Sequence, residues 1–215
     1  MAVTFDASTT PWARVNAVTT MTVAHTCSGA NRLLVVNAGT SGTVTGVTYN
    51  GVAMTQVNTS STDTSSNSCS AWILIAPALW TNNVVITTSA SATIMCHIAS
   101  YNWALQSWQP DISIVAWPTT VTSWTQTVTT TVDNDFLIMC AKGKNGNAIT
   151  AGANTLIRCN IETLFTGLFI ADSNWPRTPT GLQSLNVTSL CQEYNGIMFA
   201  VKPATTTNSS SIIFF

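Results

Sequence analysis

The apolar positions of this chain come in short runs divided by turn residues, and one such unit occurs twice. In HTCSGANRLLVVNAG, residues 25–39, the turn Ser28-Gly29-Ala30-Asn31 leads into an apolar, β-branched run from Leu33 to Val36. Downstream, TVDNDFLIMCAKG, residues 131–143, repeats the design with Asp133-Asn134-Asp135 as the turn and Phe136 to Cys140 as the run. Runs that are apolar at every position suit strands covered on both faces. Residues 15–25 alternate loosely and read as a strand. Residues 44–57 read as two short strands about Asn50-Gly51, a dipeptide that accepts the positive φ angles of a type I′ hairpin. Residues 71–76, 83–89 and 93–101 complete a first set, with a Ser/Thr/Asn-rich loop at 58–70.

A second set follows: a Thr-rich strand at 121–132, the run at 135–141, a Gly/Asn turn at 142–152, and strands at 156–162 and 167–171. Strands at 182–190 and 197–201 close it. GLFIA at 167–171 echoes WILIA at 72–76, and IMFAV at 197–201 echoes IMCHI at 94–98. No stretch sustains a 3.6-residue apolar period, so helix is expected to be scarce. The pattern predicts an all-β chain, an antiparallel, jelly-roll-like β-sandwich built from two similar halves (about 1–108 and 109–204) of about four strands each. Residues 1–204 are expected to form a single domain. Residues 205–215, a Thr/Ser spacer ending in Ile212, Ile213, Phe214 and Phe215, form an apolar tail that docks either on its own domain or on a neighbouring subunit.

Composition sharpens this picture. The chain is 46% hydrophobic but only 7% charged, against about a quarter in ordinary soluble domains. Thr, Ser and Asn take the place of Lys and Glu, which suits a protein packed closely against neighbours. The net charge of −1 excludes an electrostatic nucleic-acid binder and a polybasic membrane anchor. No apolar run nears the ~20 residues of a helical membrane span. The opening MAVTFDASTTPW lacks the pattern of a signal peptide. The six cysteines show no C-x-x-C spacing and are expected to be free.

The residues that could carry chemistry are few, and no catalytic residue, cofactor or metal site is expected. With only His25 and His97, no Ser-His-Asp arrangement stands out. His97 lies in an apolar strand and reads as a core residue. The His25/Cys27 and Cys96/His97 pairs lack zinc-site spacing. Asp133 and Asp135 flank a turn, where Asp commonly bonds the backbone. The Lys142–Gly146 stretch lacks the phosphate-loop spacing. Tryptophan is the exception: Trp103, Trp108, Trp117 and Trp124, half of the chain's eight, fall close together. They could stack on sugar rings as a glycan platform, or fill a core or an interface.

With these residues in view, the chain resembles a β-sandwich module of bacteriophage tail-fibre and head-decoration proteins and of bacterial surface proteins. The matching pieces are Phe5-Asp6-Ala7, SGANRLLVV at 28–36, VTYNGVAMTQV at 47–57, TTTVDNDFLIMCA at 129–141 and FAVKPA at 199–204. The resemblance implies a non-enzymatic structural protein of a virus particle, a capsid decoration or tail/fibre subunit, with no catalytic residues to carry over. Its expected partners are copies of itself and other virion proteins, with a cell-surface glycan as the alternative, and its expected location is the virion or, alternatively, outside the cell. The Trp-rich middle and the tail beyond Ala204 depart from the pattern and favour a stand-alone subunit.

Overall fold

A computed structural model describes residues 1–10, 14–61, 68–116, 123–144, 149–163, 166–188 and 193–205. Among the described residues every regular element is a β-strand, and every pairing is antiparallel. The first half holds β1 (Thr4–Thr9), β2 (Val15–Cys27), β3 (Leu33–Thr40), β4 (Val44–Tyr49), β5 (Val52–Ala53), β6 (Thr55–Ser61), β7 (Ser68–Ile75) and β8 (Trp80–Asn102). The second holds β9 (Ile112–Ala116), β10 (Ser123–Thr130), β11 (Phe136–Lys144), β12 (Thr150–Ala151), β13 (Leu156–Thr163), β14 (Thr166–Asp172), β15 (Gly181–Thr188) and β16 (Glu193–Val201). The antiparallel all-β sandwich class is therefore observed, but with eight strands in each half instead of about four.

The additional strands exist because each half is itself two-layered. β3 is buried along its whole length, so it needs cover on both faces. Its odd positions Leu33 and Val35 enter one core, and its even positions Leu34, Val36 and Ala38 enter another, as the two-residue period of a strand dictates. The second core is closed by β8 folding over itself. Val84 and Ile86 from its first limb meet Ile94, Cys96 and Ile98 from its second. The first limb pairs with β2 and β4, the second with β1 and β3. An outer sheet (β2, first limb of β8, β4, β5) thus covers an inner one (β1, second limb of β8, β3, β7, β6).

The second half repeats this arrangement. An inner sheet ordered β13-β14-β11-β16-β9 is covered by an outer sheet ordered β10-β15-β12, with Trp124, Leu137, Met139, Phe169, Leu185 and Val187 between them. β9 pairs with β16 as β1 pairs with β8, β10 with β15 as β2 with β8, and β13 with β14 as β6 with β7. Even the irregularities recur. β6 slips register between Gln56 and Asn58, and β13 slips between Ile157 and Cys159. Asn31 and Asn134, each two residues before an inner strand, have φ of 50° and 66°, a left-handed conformation that Asn tolerates.

A carboxylate secures both of these turns. The Ser28 N–H donates to Asp6 Oδ2 at 2.9 Å and its hydroxyl donates to Oδ1. In the second half the Thr131 N–H donates to Asp111 Oδ2 at 2.8 Å and its hydroxyl to Oδ1 at 2.6 Å. Burial pushes both carboxyls up, yet these hydrogen bonds outweigh it and hold them below the ordinary Asp value.

The two inner sheets face each other across the central core, where Leu33, Val35, Ile73 and Tyr101 meet Phe136, Ile138, Ile170 and Phe199. β8 lies over β14, β7 over β11 and β16, and β6 over β9. Like elements therefore meet their counterparts with lateral order reversed, which is the geometry of an isologous, two-fold interface built inside one chain. Buried polar ties cross it: Asn37 Nδ2 donates to the carbonyls of Ala141 and Phe169, His97 Nε2 bonds the Leu168 carbonyl at 2.7 Å, and Lys142 Nζ donates to the Thr40 carbonyl at 3.0 Å. The cysteines Cys27, Cys69, Cys96, Cys140 and Cys159 are free and buried.

Candidate functional site

Of the four tryptophans that could stack on a sugar or fill a core, Trp103, Trp108 and Trp124 are described, and their surroundings differ. Trp124 is buried in the second half's core, edge-on to Phe169 at 6.5 Å between centroids. It cannot offer a ring face, because the alternation of β10 turns its even positions inward. Trp103 is half-buried and held by its backbone, donating to Ala30 O and accepting from Ala204 N. Trp108 alone of the described three is open, at 85% exposure. Trp117 lies outside the described residues, as do the tail residues Ile212, Ile213, Phe214 and Phe215.

Two other tryptophans are exposed, Trp80 at 76% and Trp175 at 71%. Trp80 opens β8, and Trp108 and Trp175 sit on connections, all at the end where β3 and β11 begin. That end is laced together by backbone bonds: Ala76 N to Arg32 O, Trp103 N to Ala30 O, Leu105 N to Lys202 O and Arg177 N to Asp135 O. Three open indoles thus lie at one end of a weakly charged protein.

Trp175 borders a cleft of about 350 Å³ lined by residues 2–5 together with Arg158, Asn174, Trp175 and Pro176. Its floor comes from the edge strands of the two inner sheets, β1 and β13. At the β13 irregularity, Arg158 turns its guanidinium inward. Nε donates to Asp172 Oδ2 at 2.6 Å, Nη2 donates to Asn174 Oδ1 at 3.1 Å, and the group lies 4.2 Å from the centre of the Phe5 ring. Tyr101 donates its hydroxyl to the same Asp172 oxygen at 3.2 Å and packs against Phe5 and Phe136. Burial pushes the Asp172 carboxyl up from its ordinary value, and Arg158 opposes that shift. The Tyr101 hydroxyl is driven well up, by burial first and by Asp172 next.

The Trp175 backbone is fixed with equal care. Asn174 adopts φ of 58°, and its N–H donates to Asp172 Oδ1 at 2.8 Å. The Trp175 N–H reaches the Ser173 carbonyl at 2.6 Å, while the Ser173 hydroxyl donates to the Trp175 carbonyl at 2.8 Å.

The remaining polar groups are arranged differently. His25 and His97 are buried, and burial lowers both to about 4. Each imidazole is therefore neutral at pH 7. Asp135 is fully buried; desolvation, followed by the neighbouring Asp111 carboxyl, pushes it up to about 7. Among the described residues no three His, Cys, Asp or Glu side chains group as metal ligands, and no helix is long and apolar enough to cross a membrane.

The cleft escaped the sequence reading. Its only signal was a charge, Arg158, inside the strand-like LIRCNIE. Comparison with protein-family models, with curated proteins and with solved structures returned no match.

Proposed function

We propose that this chain is a non-enzymatic structural subunit of a virus particle, a capsid decoration or a part of a tail or fibre, acting as a homo-oligomer. The observation that carries this reading is the fusion of two like sandwiches through a buried, two-fold-like face. Such faces ordinarily join separate subunits. Here the central core and the ties from Asn37, His97 and Lys142 make the pair one block, a shape suited to bearing load. The scarcity of charge on Thr- and Ser-rich strands lets copies lie side by side without repulsion. The end bearing Trp80, Trp108 and Trp175 serves as the docking or attachment end.

Light scattering after size exclusion on the full-length chain tests the proposal. A defined oligomer or ordered assembly is the expected result. A chain that stays monomeric across the accessible concentration range would overturn it.

A further inference from the structure

The two halves share their inner-sheet pairings, so the polar residues Arg158, Asp172 and Tyr101 at the cleft have counterparts, and those counterparts are apolar. Val35 pairs with Ile73 where Ile138 pairs with Asp172. Ala71 and Trp72 flank the β6 irregularity as Ile170 and Ala171 flank that of β13. Val57 therefore corresponds to Arg158, Ile73 to Asp172, and Val201 to Tyr101 through the pairing of each with the first residue of β3 or β11. Val57, Ile73 and Val201 pack into the central core. The scaffold thus closes at this point without charge, and the ion pair on the other side is an addition. A buried ion pair is a poor source of stability, since desolvation consumes most of the attraction. Its retention at one of two equivalent places calls for a role other than folding.

We propose that the cleft bounded by Phe5, Arg158, Asn174 and Trp175 binds a neutral saccharide. Trp175 offers an open indole face, to which the C–H face of a sugar ring can stack. Arg158 spends two of its five N–H donors on Asp172 and Asn174. The Asn174 amide accepts from Arg158 through its oxygen and keeps its N–H₂ for a ligand. Such planar, pre-oriented donors match vicinal hydroxyls. Asp172 cancels the charge of Arg158, and no other charged side chain lines the recess, so the site is complementary to a neutral glycan. A volume of about 350 Å³ falls at the lower end of small-molecule sites, room for a short glycan segment. This deepens the reading of the tryptophan-bearing end as an attachment end and rests on it only for the location in the particle.

An immobilised array of malto-, cello-, chito- and manno-oligosaccharides, with sialylated and uronic-acid glycans beside them, tests the inference directly. The full-length protein is expected to bind at least one neutral glycan. Trp175→Ala, at an exposed position, weakens that binding about tenfold or more, equivalent to about 1.4 kcal/mol, while Leu182→Ala, at an equally exposed position on the outer sheet, leaves it within about twofold. Absence of neutral-glycan binding, binding confined to acidic glycans, or undiminished binding by Trp175→Ala would each overturn the proposal. A protein that assembles but binds no neutral glycan refutes this inference alone; one that binds as a monomer refutes only the structural-subunit reading.

Discussion

At the same irregularity of the same strand, the first half of the chain carries Val57 and the second carries Arg158. Around the valine the neighbours are Ile73 and Val201; around the arginine they are Asp172 and Tyr101. The backbone is shared, the turns are shared, and the carboxylate clamps Asp6–Ser28 and Asp111–Thr131 are shared. What differs is the chemistry at one edge. Repetition shows what the scaffold requires, and departure from repetition shows what has been added to it.

The largest expected effect comes from splitting the added pair. Asp172→Ala leaves the Arg158 guanidinium and the Tyr101 hydroxyl buried without their acceptor, at a cost of about 3–5 kcal/mol in urea-unfolding stability. A loss under about 1 kcal/mol would mean that the pair is solvated and that the contrast with Val57 and Ile73 is superficial.

Next comes the contact of Gly196 with Trp124. A Cβ at Gly196 collides with the Trp124 ring, whereas the matching residue of the first half is Cys96, buried with room for a side chain. Gly196→Ala is expected to cost about 1–3 kcal/mol by overpacking, and Cys96→Ala less. Equal costs would show that the two outer layers do not pack differently after all.

The two clamps should behave alike apart from the Ser100 hydroxyl, which donates to Asp6 Oδ2 at 2.7 Å and has Ala200 as its counterpart. Asp6→Ala and Asp111→Ala each remove charge-assisted hydrogen bonds from a turn, and each is expected to cost about 1.5 kcal/mol. Thermal unfolding of both variants measures this, and a difference well beyond that figure would undo the equivalence of the turns.

The last effect is one of pH. Asp135 occupies the place that Arg32 holds in the first half, and its pKa is pushed up to about 7. Between the ordinary Asp value near 3.8 and 7, the folded state therefore holds more protons than the unfolded state, so this group's contribution is present at low pH and is lost as pH rises through 7. Asp135→Asn should flatten the fall in melting temperature between pH 5 and pH 8 (roughly the span bracketing that titration). An unchanged slope would show that Asp135 is ionised in the folded protein.

The sequence disclosed the repeat through its turns and concealed its details. The units around Asn31 and Asn134 were readable because polar turn residues before a run apolar on both faces are chemically distinctive. The apolar echoes pointed to the right strand pairs in the wrong register. Structural equivalence sets Ile73 against Asp172 and Ser100 against Ala200, so the 72–76/167–171 echo is four residues out of step and the 94–98/197–201 echo three. An odd slip turns every side chain to the opposite face, and apolar runs buried on both faces give no warning of it. The bend of β8 was legible as the gap between the strands read at 83–89 and 93–101, although its small residues 89–93 include no Gly or Pro to mark it. The choice between core and platform for Trp124, and the exposure of Trp175, stayed open for a related reason. Clustering along the chain says nothing about which way a strand residue points, and the exposed indole belongs to a turn whose conformation is set by Asp172 and Ser173.

The most direct test is to give the second half the residues of the first, as Arg158→Val/Asp172→Ile with Tyr101→Phe to remove the hydroxyl left without a partner, and to measure its unfolding free energy in urea. If the pair serves a ligand and not the fold, the triple variant stays within about 2 kcal/mol of the parent, well above Asp172→Ala, and loses glycan binding. If it unfolds as easily as Asp172→Ala, the ion pair is part of the scaffold and the contrast between the halves has no functional meaning.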